Sequence, residues 1–167
     1  MINIIKEKLL VNNTVNVVIE NSNWKLHSLE GYTENELNIC SDFAKADGFD
    51  AIREKSIKYY LDNEAHFYTL FTEKIKRMLE FEDFYGDYDF EPAFDAYEIE
   101  LPETVTNDWI KENIKLIQIN IREEKEGMCF LEFDFAVSWD EEHGLVALTL
   151  KDKFVGFAEG GYCWYLD

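Results

Sequence analysis

Between Leu131 and Trp139 the chain alternates: Leu131, Phe133, Phe135, Val137 and Trp139 fall on one side of an extended backbone, with Glu132, Asp134 and Ser138 on the other. Side chains in a strand point to opposite faces with a period of two, so this stretch is a strand whose apolar face needs a core to cover it. The same period recurs on both sides. Ile117, Ile119 and Ile121 alternate with Gln118 and Asn120, and Glu126-Gly127 supplies a turn. Asp140 to Gly144 reads as the next turn, Leu145 to Leu150 as a strand, Lys151-Asp152-Lys153 as a turn, and Phe154 to Phe157 as a last strand. An antiparallel meander from about residue 113 to 166 is therefore expected.

The rest of the chain supplies the cover. Phe49, Ile52, Ile57, Tyr60 and Leu61 fall on one helical stripe, and Phe67, Leu70, Phe71, Ile75, Met78 and Leu79 follow i, i+3, i+4 spacing. Two amphipathic helices over 49–61 and 64–80 result, and Thr106-Asn107-Asp108 can cap a short helical turn from Trp109 to Asn113. At the start, Val15, Val17 and Ile19 alternate, turn residues follow, and Trp24 to Leu29 alternates again, which predicts an N-terminal hairpin. Strands, then helices, then a meander give an α+β fold with one mostly antiparallel sheet covered by helices on one face. With 167 residues, 47% of them hydrophobic, the chain fits a single domain over 1–167 that buries about 70% of its unfolded surface.

Charge narrows the function. Sixteen basic against 35 acidic residues give a net charge of −19, which disfavours nucleic acid and anionic membrane as partners. The acids concentrate. From Met78 to Ile110 there are 33 residues with no Lys or Arg, eleven Asp or Glu and eight aromatic rings, centred on an insertion at about 80–103. Charge there would steer a basic protein partner and rings would supply contact energy. The expected contact residues are Glu82, Asp83, Tyr85, Asp87, Tyr88, Asp89, Phe90, Glu91, Asp95, Tyr97 and Glu98. The structural alternative is a solvated acidic loop whose rings turn inward. Asp87, Asp89, Glu91, Asp95 and Glu98 imitate calcium-loop spacing, but Pro92 occupies the position that needs Gly.

Trp139-Asp140-Glu141-Glu142-His143-Gly144 is the most compact polar constellation. A zinc helix would need two His four residues apart; here one His sits in an expected turn. The reading is structural: Trp139 anchors the strand end, Asp140 accepts backbone N–H groups, Glu142 and His143 are turn residues, and Gly144 takes positive φ. No metal and no cofactor is expected. Nucleophile elbows and phosphate-cradling glycine loops are absent. The alternative is a small enzyme or ligand-binding module built on Asp140, Glu142 and His143. Cys40, Cys129 and Cys163 show no Cys-x-x-Cys spacing, and no signal peptide or long apolar run occurs, so a cytoplasmic protein with reduced thiols is expected.

Over residues 113 to 158 the chain resembles a widespread bacterial family of uncharacterised domains marked by Trp-Asp-x-Glu-His-Gly at this place. The likeness is looser over 11 to 80, and the acidic stretch looks like an elaboration. It implies a fold rather than catalytic residues. In size, acidity and lack of a signal the chain also resembles immunity proteins of bacterial toxin systems, including contact-dependent growth inhibition. That likeness implies a cytoplasmic inhibitor that caps a cognate basic toxin domain, often a nuclease.

Overall fold

A computed structural model describes residues 14–18, 22–26, 36–41, 50–81, 102–161 and 164. Along the chain run β1 (Thr14–Val18), β2 (Glu36–Cys40), α1 (Ala51–Asp62), α2 (Glu64–Phe81), α3 (Asn107–Asn113), β3 (Ile114–Lys125), β4 (Met128–Val137), β5 (Asp140–Leu150) and β6 (Lys153–Glu159). Among the described residues the strands form one six-stranded sheet in the order β1-β2-β3-β4-β5-β6. Every neighbouring pair is antiparallel except β2 and β3, which run parallel. The α+β class, the helices and the C-terminal meander agree with the sequence reading.

Helix boundaries follow local chemistry. The Asp50 carboxylate accepts the backbone N–H groups of Ile52 at 3.2 Å and Arg53 at 3.0 Å, which starts α1. Asn63 ends it, and the same residue's carbonyl then accepts from His66 and Phe67, so α2 begins after a single-residue corner. Phe67, Phe71, Ile75 and Met78 form the buried stripe of α2. They press on the alternating face of β4: the Phe133 ring lies 4.8 Å from Phe71, 5.1 Å from Tyr60 and 5.8 Å from Phe67. The Ser56 hydroxyl accepts the Cys129 N–H at 2.8 Å and pins α1 to the start of β4.

Thr106 caps α3 by accepting the Trp109 N–H at 3.1 Å. That helix holds the Trp109 ring parallel to Trp139, 5.8 Å between centroids and 9° between planes. Thr106→Ala is expected to lower stability by about 1 kcal/mol, read as a shift of the denaturant midpoint at constant slope. An unchanged midpoint would show the cap to be idle.

The N-terminal antiparallel pair forms differently from the expected hairpin. β1 pairs with β2, Val15 opposite Ile39 and Val17 opposite Leu37, and of the expected second strand Trp24–Leu29 the structure describes Trp24 to Leu26. At the start of α2 the Glu64 carboxylate accepts the Asn23 N–H at 2.9 Å and the Ser22 hydroxyl at 3.0 Å. Trp24 is thereby directed into the core, 4.7 Å from the Tyr68 ring and 4.9 Å from Phe135. Among the described residues of that segment, Leu26 makes a bridge, parallel, to Leu116. Burying the indole outweighs a short strand's ladder.

The hairpin turns are two residues long. Glu126 and Gly127 both have positive φ (56° and 73°) between the pair Lys125–Met128, the conformation that suits the twist of the flanking strands. The turn expected at Asp140–Gly144 is displaced: Ser138 and Trp139 make it, and Val137 already pairs with Asp140. Residues 141–144 then bulge out of β5, since Phe135 faces Leu145 two positions before Val137 faces Asp140.

Candidate functional site

The sheet face turned away from the helices is not a solvent face. Val146, Leu148, Ala158 and Glu132 are all buried there. Polar residues on alternate positions of β2, β3 and β4 meet in two cross-strand rows, Asn38–Gln118–Asp134 and Cys40–Asn120–Glu132. Gln118 Nε2 donates to Asp134 Oδ2 at 2.8 Å, and Asn120 Nδ2 donates to the same oxygen at 3.0 Å and to Glu132 Oε1 at 2.9 Å. Arg122 and the Trp164 indole each donate to Glu132 at 2.5 Å.

The two carboxylates differ in company. Glu132 pairs with the Arg122 guanidinium, 33% exposed, whereas Asp134 accepts from the neutral amides of Gln118 and Asn120. Burial pushes the Asp134 carboxyl up to about 6, with the neighbouring Glu132 charge adding to the rise; the Gln118 and Asn120 hydrogen bonds and the Arg122 charge oppose it. Asp134 Oδ1 and Asn38 Oδ1 are buried without a hydrogen-bond partner among the described residues. The arrangement is a carboxyl whose proton is retained to about pH 6, one oxygen of which is held by two amide donors.

The Trp139–Gly144 loop takes the structural roles expected of three of its residues. Trp139 is fully buried; Asp140 Oδ1 accepts the His143 N–H at 3.0 Å; Gly144 has φ 71°. A side chain at Gly144 would meet the Phe135 carbonyl oxygen at 2.6 Å, and one at Gly160 would meet the His143 carbonyl oxygen at 1.9 Å. Backbone is packed on backbone from both sides, which holds the loop rigidly. Glu142 is exposed. His143 has a neighbour that its sequence surroundings do not reveal: Glu159, at the end of β6, places Oε1 3.0 Å from His143 Nδ1, while Asp140 Oδ1 lies 3.1 Å from the same nitrogen.

Of the expected site residues, Asp140 and His143 come together and Glu142 stands on the exposed side of the bulge. Glu82, Asp83, Tyr85, Asp87, Tyr88, Asp89, Phe90, Glu91, Asp95, Tyr97 and Glu98 lie outside the described residues. So does the calcium-like spacing within them. Sequence reasoning passed over the Gln118–Asn120–Arg122 row as ordinary alternation. Its signal was three same-face polar residues on one strand facing two acids on the next. An open groove of about 440 Å³ runs along α1, lined by Glu54, Lys55, Lys58, Tyr59 and Met128 among others, and takes in none of the expected residues.

The chain belongs to the family described as Domain of unknown function (DUF6985), whose model matches residues 14–161. No curated protein and no solved structure gives a significant match.

Proposed function

We propose that this DUF6985 protein is an immunity protein, which binds a cognate basic toxin domain, in keeping with a nuclease, and neutralises it in the cytoplasm of the producing cell. The observation that carries the reading is charge distribution: a net −19, with the stretch from Met78 to Ile110 holding eleven acids, eight rings and no base. Both flanks of that stretch are fixed, by buried Met78 on α2 and by buried Val105 ahead of α3. Anchored ends would let the acidic-aromatic segment present a surface to a partner without unfolding the domain. Glu103, Asp108, Glu123, Glu124, Glu126, Glu141 and Glu142 extend the exposed acidity. Carboxylates would speed encounter with a cationic protein, and Tyr88 and Phe90 would supply the contact energy. Among the described residues no helix is long and apolar enough to cross a membrane.

The test uses the C-terminal domain of a large secreted toxin encoded beside this gene. Asp87→Asn, Asp89→Asn and Glu91→Gln together should slow association and flatten its salt dependence. Tyr88→Ala or Phe90→Ala should instead speed dissociation, at a cost of roughly 2 kcal/mol. Circular dichroism and melting temperature should stay at wild-type values. A gene neighbourhood with no such toxin, or a toxin domain that does not bind, overturns the reading. Binding and cell protection that survive all five substitutions would place the interface elsewhere.

A further inference from the structure

We propose that Asp140, His143 and Glu159 form a binding site for one divalent transition-metal ion, Zn²⁺ or Mn²⁺, at the edge of the sheet. Each residue directs one ligand atom to a common point: Asp140 Oδ1, His143 Nδ1 and Glu159 Oε1 all lie within 4.8 Å of one another. The two distances to the imidazole nitrogen, 3.1 and 3.0 Å, match the separation of adjacent ligands around an ion bound at about 2.0–2.2 Å, which is roughly 3.0–3.4 Å for octahedral to tetrahedral geometry. One Nδ1 carries at most one hydrogen, so it cannot give a full hydrogen bond to both carboxylates at once. A cation at that point satisfies all three.

The ligands come from two strands, and the backbone that carries them is held before any ion arrives. Asp140 is buried, and the oxygen that faces His143 also accepts the His143 backbone N–H at 3.0 Å. Gly160 lies against the His143 carbonyl so closely that a Cβ would stand 1.9 Å from its oxygen, and a Cβ at Gly144 would stand 2.6 Å from the Phe135 carbonyl oxygen. Backbone contact of this kind fixes the β5 bulge relative to the end of β6, which is what a preformed site requires. One imidazole and two carboxylates suit Zn²⁺ or Mn²⁺ better than Mg²⁺ or Ca²⁺, which take oxygen ligands. His143 and Glu159 are half exposed, so the remaining coordination positions face solvent and can take water or a donor from another molecule. The sequence reading, which expected no metal, weighed His143 only against its own turn; Glu159 joins it through strand pairing.

The site is tested by titrating the reduced full-length protein with MnCl₂ and with ZnCl₂, using MgCl₂ as the contrasting ion. Wild type should take up one Mn²⁺ and one Zn²⁺ at this site and gain melting temperature with either, since an ion that binds only the folded state stabilises it. Glu159→Gln should weaken both affinities at least about tenfold, and His143→Asn should do the same. Glu159 is exposed, so its variant keeps the circular dichroism spectrum even where the His143 variant does not fold. Mn²⁺ separates this site from the cysteines, because thiolates favour softer ions. A folded wild type that binds neither ion, or variants that bind Mn²⁺ as tightly as wild type, overturns the assignment. Neither result bears on toxin binding, which this experiment does not read.

Discussion

Phe133→Ala is expected to lower the free energy of unfolding by about 3–5 kcal/mol. The ring is fully buried at the centre of β4 and meets Tyr60, Phe67 and Phe71 within 6 Å, so truncation removes transfer energy and leaves a void between the sheet and both long helices. Rigid elements on both sides prevent collapse of that void. For a domain whose whole stability is about 5–15 kcal/mol, the variant would sit close to unfolding at 37 °C. Urea unfolding should show a lower midpoint with an unchanged slope. Val155→Ala on edge strand β6 is the contrast: that side chain is 45% exposed, and its loss should cost less than about 0.5 kcal/mol. Equal losses at the two positions would mean that the aromatic cluster is not the core.

Asp134→Asn is expected to raise stability near neutral pH by about 2–3 kcal/mol, and to leave it unchanged near pH 4. In the folded protein burial pushes the Asp134 carboxyl to about 6 from 3.8. Between those values the native state holds a proton that the unfolded chain has released. The native state binds more protons there, so this group's contribution falls as pH rises from about 4 and is fully unfavourable above about 6. A shift of this size corresponds to about 3 kcal/mol at 1.36 kcal/mol per pH unit. Asparagine mimics the protonated form and keeps an oxygen to accept from Gln118 Nε2 and Asn120 Nδ2, now bound to Asp134 Oδ2. The difference between the two stability curves therefore reports the Asp134 carboxyl together with its coupling to the neighbouring Glu132 charge. Curves that run parallel from pH 4 to 7 would show that Asp134 stays ionised in the folded state.

What could be read in advance was whatever depends on near neighbours in the chain. Periodicity of two marked Leu131, Phe133, Phe135 and Val137 as one buried face, and spacing of three and four marked Phe67, Phe71, Ile75 and Met78 as another. Both periods are properties of the backbone itself, so they survive folding unchanged. The cap at Thr106 and the turn at Glu126–Gly127 are equally local. So is the acidity of residues 78–110, a fact of composition.

Strand partners were a different matter. Alternation made Trp24–Leu29 look like a second strand, because period says nothing about which ladder a segment joins; Leu26 bridges Leu116 on β3, and Asn23 is held by Glu64, 41 residues further on. Burial of the second sheet face, and with it the upward shift of Asp134, required β3 and β4 to align Gln118 with Asp134 and Asn120 with Glu132. His143 read as a turn residue because its sequence neighbours are in a bulge. Only the pairing of β5 with β6 brings Glu159 to its ring, 16 residues along the chain and 3.0 Å away in space. Sequence determined the two long helices, the apolar faces of the C-terminal strands and the sign of charge, since those follow from backbone geometry and composition; β2 at Glu36–Cys40 was not legible in it. Tertiary structure decided which side chains share a site, since register across strands is set by the packing of the whole domain.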